Sequence, residues 1–132
     1  MPLVCVDFTI PANTPKTSPC RLTVKVPAGV VKKVWIIIPP GHMGLAHLII
    51  RHGETQVIPY YGDIHGDNEG LVFDETYELP SEDILTFEGW NEDSKYPHTF
   101  IVRLLILPRH IAYPEYGMLL ALKRLLEVMG VE

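Results

Sequence analysis

The chain has 132 residues, 47% hydrophobic and 20% charged, the make-up of one compact domain with a core large enough to stand without disulfides or a structural metal. Eleven Lys and Arg against 16 Asp and Glu leave a formal charge of -5, which argues against affinity built on neutralising nucleic-acid phosphates or an anionic membrane. The longest apolar runs, Val34 to Pro40 and Leu104 to Pro108, are strand-sized and far short of the roughly 20 residues of a membrane-spanning helix.

Met1 and Pro2 lead straight into Leu3-Val4-Cys5-Val6-Asp7 without a basic and apolar leader, so no export signal is expected. Cys5 and Cys20 are accordingly expected as unpaired, small buried hydrophobes. Ile10 to Pro19 carries Pro11, Pro15 and Pro19 and no core periodicity, which reads as an extended arm. Residues 1–19 are therefore expected to form an arm with the first strand, and the prolines to lower the cost of ordering that arm on a neighbouring subunit.

From there, prolines and glycines punctuate short apolar runs. Leu22, Val24 and Val26 alternate with polar residues as in a half-buried strand. Val31 to Ile38 is apolar on both faces, Val34, Ile36 and Ile38 against Trp35 and Ile37, which predicts a central strand covered on both sides; Pro39-Pro40-Gly41 ends it. Leu45 to Arg51 and Thr55 to Pro59 form a hairpin through His52-Gly53-Glu54. A polar loop over 62–70 precedes a short strand at Leu71 to Phe73, an edge segment at Glu75 to Leu79 and a strand at Ile84 to Glu88. A polar loop from Trp90 to Pro97 leads into Thr99 to Leu107. About eight strands with turns every 8 to 12 residues predict an antiparallel β-sandwich over 20–108.

Residues 109–132 change character. Pro114 suits a first helical turn and Gly130 a stop, so Pro114 to Met129 is predicted helical. Met118, Leu122, Leu125, Leu126 and Met129 share one face with Leu119 on its flank, a broad apolar stripe that must pack on the sandwich or on a partner.

Chemistry is harder to find. His42, His47 and His52 fall close together, but alternation along a strand puts His47 and His52 on opposite faces, and no His-x-His pair of the kind cupin metal sites use occurs. A non-standard cupin-like site of His42, His47 and His98 is the weakest alternative. The 62–70 loop offers Asp63, Asp67, Asn68 and Glu69 as oxygen donors for Ca²⁺ but lacks EF-hand order, and a solvated loop capping its own turns is the favoured reading. Three serines, none in a Gly-x-Ser-x-Gly elbow, offer no nucleophile. No catalytic residue, metal or cofactor is therefore expected. Tyr60, Tyr61, Trp90 and Tyr96, with Asp67 or Asn91 as polar anchors, give the main alternative, a carbohydrate- or ligand-binding surface.

Val26-Pro27-Ala28-Gly29, the run to Ile38-Pro39-Pro40-Gly41, Gly44-Leu45-Ala46, Gln56-Val57-Ile58-Pro59 and the late strand His98 to Leu107 after Asn91 together resemble small jelly-roll-like domains of phage and virus particles. The likeness spans Phe8 to Pro108. It implies a non-enzymatic structural or decoration protein of a virion, made in the host cytoplasm, whose partners are copies of itself and other proteins of the assembly. The contacts are expected at Pro11, Pro15, Pro19 and the helix residues Met118, Leu119, Leu122, Leu125, Leu126 and Met129.

Overall fold

The computed structural model describes residues 3–130, and the side chains of all of these except 114–117 and 120. Eight strands form: β1 Leu3–Ile10, β2 Cys20–Val26, β3 Gly29–Ile38, β4 Ala46–His52, β5 Thr55–Ile58, β6 Glu69–Leu79, β7 Asp83–Asn91 and β8 His98–Leu107. They make two antiparallel sheets, β1-β8-β3-β6 (sheet A) and β2-β7-β4-β5 (sheet B). Strand β1 pairs with β8, β2 with β7, β3 with β6 and β4 with β5, so the chain is one long hairpin folded at the β4–β5 turn and rolled up on itself. This is the strand order of a jelly roll.

The period-2 pattern sets each strand's inner face. In β8, Phe100, Val102, Leu104 and Ile106 are fully buried while Arg103 is exposed; in β1, Val6, Phe8 and Ile10 turn inward and Cys5, Asp7 and Thr9 outward. Phe8 meets Phe87 edge-on across the two sheets, ring centres 6.1 Å apart. Gly89 on β7 lets the layers close: a Cβ there would lie 2.4 Å from Ile10 Cδ1 and 2.8 Å from the His47 carbonyl oxygen.

Several expectations change. Strand β3 is central, but among the described residues no second layer covers its outer face; Trp35 and Ile37 lie half-buried among the cross-strand neighbours Arg103, Val72 and Ile101. The short strand and edge segment of 71–79 are one strand of 11 residues, because β6 pairs with β3 along its length. Strand β7 runs on through Trp90 and Asn91, which pair with His47 and Ala46, so the loop begins two residues later than the sequence predicts. Cys5 and Cys20 are both free, but Cys5 is exposed on the outer face of sheet A rather than buried.

The expected arm is no arm. With β1 locked to β8, residues 11–19 form a folded loop that crosses from sheet A to sheet B. Thr14 Oγ1 donates to the Pro11 carbonyl, and the Asn13 N–H to the Asp93 carbonyl at 2.7 Å. Pro11 and Pro15 are exposed on this loop and Pro19 half-buried at its end.

After β8 come a single turn, α1 (Arg109–Ala112), and the helix α2 (Pro114–Val128). Arg109 reaches Glu78 on β6 at 3.8 Å, and Lys32 lies 5.9 Å from the Tyr113 ring, tying the connection to sheet A. Helix α2 follows α1 directly and lies nearest to it. Among the described residues no helix is long and apolar enough to cross a membrane.

Candidate functional site

Among the described residues, two surfaces carry side chains not spent on the fold. The first is the outer face of sheet B. Alternation turns Arg21, Glu88, Ile49, Arg51, His47 and Trp90 outward, opposite the buried Leu48, Ile50 and Phe87. Glu88, itself nearly buried, accepts from Arg21 Nε at 3.0 Å and pairs with Arg51 Nε at 3.3 Å. A trough of about 490 Å³ opens beside this trio, bounded by Gln56, Trp90 and Asp63. Tyr60 and Tyr61 stand at its rim, 93% and 91% exposed.

One end of the trough is built by an isolated bridge between Leu48 and Ile64, each donating its N–H to the other's carbonyl at 2.9 Å. Ile64 points inward and is buried, so alternation throws Asp63 and His65 outward beside His47. The Asp63 carboxylate accepts from His47 Nδ1 at 2.6 Å and from His65 Nδ1 at 2.7 Å. Burial pushes the Asp63 carboxyl up, but the two imidazole donors and their charge outweigh this and hold it below its ordinary value. His47 stacks on Trp90 with ring centres 5.1 Å apart, and Lys16 Nζ lies 5.1 Å from the Trp90 ring centre.

The sequence candidates are therefore partly dispersed. Tyr60 and Tyr61 do line one surface. Trp90 lines it too but is almost fully buried against His47, and Tyr96 is not among the residues around the trough. Asp67 accepts the Gly41 N–H at 2.9 Å and caps the Pro-Gly turn, and Asn91 is buried between segments; neither is among the residues around the trough. Glu88, Arg21, Arg51 and His65 were not singled out by sequence, though the polar-apolar-polar alternation of Asp63-Ile64-His65 is the signal that could have placed Asp63 and His65 on one face.

His42, His47 and His98 do not form one site. His47 lies on the outer face, whereas His42 and His98 meet at one end of the interior with ring centres 4.6 Å apart. His42 packs edge-on against Phe100, and its Nε2 donates to the Thr99 carbonyl at 3.0 Å; Nδ1 is buried without a partner. Burial, followed by the neighbouring His98, pushes the His42 pKa below its ordinary 6.5, outweighing the Thr99 carbonyl and Asp67. The unfolded chain thus takes up this proton first. Stability from neutral His42 is complete above pH 6.5 and is lost as the pH falls from there toward the folded value. Denaturant midpoints measured from pH 7.5 to 5 should fall, and His42→Leu should flatten that slope. The carboxylates act lower: Asp93, held down by the Lys95 N–H and the His98 ring, gives up its contribution only below 3.8.

The second surface is α2. Met118, Leu119, Leu122, Leu125 and Met129 are each more than half exposed, Val128 is 85% exposed, and Leu126 is half-buried.

Fold and surfaces together define an eight-stranded jelly-roll β-sandwich with an uncovered amphipathic helix appended at its end. No protein-family model matches the chain, and no curated protein is similar to it in sequence at a significant level. Among solved structures it is similar to the Fe(II) enzyme HppE (9% identity, TM-score 0.40, 78% of this chain and 43% of that one). A carbohydrate-binding module, CBM4, matches at 13% identity and TM-score 0.38, over 76% of this chain and 78% of that one. The P-domain of Macrobrachium rosenbergii nodavirus matches at 10% and 0.27, over 79% and 92%. The chain spans less than half of the HppE chain, and at these scores the likenesses carry no statement about activity.

Proposed function

We propose that the protein is a non-enzymatic structural subunit of a symmetric assembly, a phage or virion structural or decoration protein, in which copies of the chain associate through α2. The uncovered apolar stripe of α2 carries this reading. Five of its large side chains stand more than half in water, and each would gain more than half of the roughly 1.5–3 kcal/mol that full burial of such a side chain is worth. The same stripe on a second copy is matched in chemistry and length, so a symmetric contact buries both at once. The turn and strand pattern that resembles virion jelly rolls supports the class of assembly. Absolute mass by light scattering over a concentration series tests the proposal: a discrete multimer is expected, and a strict monomer at all concentrations would overturn it.

The trough on sheet B favours a second reading, a saccharide-binding module. Two exposed tyrosine rings offer faces for the C–H side of a sugar, and the Glu88–Arg21–Arg51 trio with Gln56 offers fixed partners for its hydroxyls. In that case Tyr61→Ala, at a site that carries no core contact, weakens a glycan hit by tenfold or more at unchanged melting temperature. A glycan array without signal removes the reading.

A further inference from the structure

We propose that His47, Asp63 and His65 form a binding site for a divalent transition ion of the Zn²⁺ class, on the outer face of sheet B. One ligating atom from each residue lies within 4.8 Å of the other two. Tetrahedral bonds of about 2.0–2.1 Å place neighbouring ligand atoms roughly 3.4 Å apart, so a rearrangement on the order of 1 Å converts the hydrogen-bonded trio into three ligands. Two imidazoles and one carboxylate select a borderline transition ion over Ca²⁺ or Mg²⁺, which take oxygen donors.

Two features of the fold argue for a built site. The Leu48–Ile64 bridge fixes the backbone under all three residues, so their common direction follows from strand alternation rather than from loop chance. The second feature is the other nitrogen of His47. With Nδ1 donating to Asp63, Nε2 is buried without a hydrogen-bond partner, 3.6 Å from the Glu92 carboxylate. In the neutral ring that leaves a bare lone pair facing an anion. A metal on Nδ1 reverses this: it moves the ring proton to Nε2, where Glu92 accepts it, which is the outer carboxylate that metal-bound imidazoles commonly have. His65 is half exposed and Asp63 borders the trough, so a fourth coordination position opens toward solvent and toward Tyr60 and Tyr61. The site is independent of the α2 contact and stands whether or not the chain assembles.

The test uses the full chain, stripped with a chelator and titrated with ZnCl₂ by calorimetry. One equivalent per chain is expected at micromolar affinity, with a rise in melting temperature and a shift of the His47 Nδ1 resonance on loading. His65→Asn, at a partly exposed position that leaves the core intact, should weaken binding at least tenfold and abolish the thermal shift. Asp63→Asn should do the same. Substoichiometric uptake, or equal affinity in His65→Asn, would overturn the proposal and leave the trio as a hydrogen-bonded cluster only.

Discussion

On the proposed contact between copies, replacing Leu122 and Leu125 together by Glu should yield monomers while leaving the melting temperature of the sandwich unchanged. Both side chains are more than half exposed in the single chain, where a charge costs little, and α2 lies outside the core of the two sheets. Across a contact between copies the same carboxylates would be desolvated without partners, and losing even one interface anchor commonly costs 2 kcal/mol or more. The association constant should therefore fall by at least about a hundredfold. Sedimentation of wild type and variant side by side checks this. An unchanged mass in the variant would place the contact elsewhere, and a drop in melting temperature would mean that α2 belongs to its own domain.

Asn91→Ala should lower the melting temperature by about 10 °C, the largest effect expected from any single polar side chain here. The Asn91 amide is 1% exposed and joins three segments: Nδ2 donates to the Tyr96 carbonyl at 2.9 Å and, more weakly, to the Ile10 carbonyl at 3.4 Å, while Oδ1 accepts the Asp93 N–H at 2.9 Å. Its backbone pairs with Thr14 in both directions, at 2.9 and 3.1 Å. Truncation leaves backbone groups without partners in the interior at about 1–3 kcal/mol each, roughly 2–4 kcal/mol together. Asn91→Asp keeps the volume and the acceptor but aims a carboxylate at two carbonyls, so it should be at least as damaging. If Asn91→Asp melts like wild type, the donor role assigned here is wrong.

Asn91 also shows where sequence reading loses its grip. In Trp90-Asn91-Glu92-Asp93 a run of polar residues after an aromatic looks like a loop with a binding anchor, and periodicity has no means of showing that Asn91 faces inward. Its partners at Ile10 and Thr14 are about 80 residues away, and only the docking of the first loop against the end of β7 makes a buried amide favourable there. The proline loop fails similarly: Pro11, Pro15 and Pro19 restrict the chain, but the pairing of β1 with β8 is what fixes both ends of that loop. His47, Asp63 and His65 converge because an apolar residue, Ile64, pairs with Leu48; the chemistry sits on its neighbours, and no spacing between the ligands themselves announces it.

By itself the sequence determined what depends on local periodicity and turn chemistry. Alternation in Leu22 to Val26 specified a half-buried strand, the apolar runs Val31 to Ile38 and Thr99 to Leu107 two more, Pro39-Pro40-Gly41 a stop, and Pro114 to Met129 an amphipathic helix. Their number and kind were enough for a β-sandwich. Tertiary structure decided the rest: β1 beside β8 and β2 beside β7, the burial of Asn91 and Trp90, the separation of His42 and His98 from His47, and the exposure of α2. The reason is physical. Periods of 2 and 3.6 residues are carried by neighbours along the chain, whereas strand partners and converging side chains are chosen by the free energy of closing the whole roll, to which every strand contributes at once.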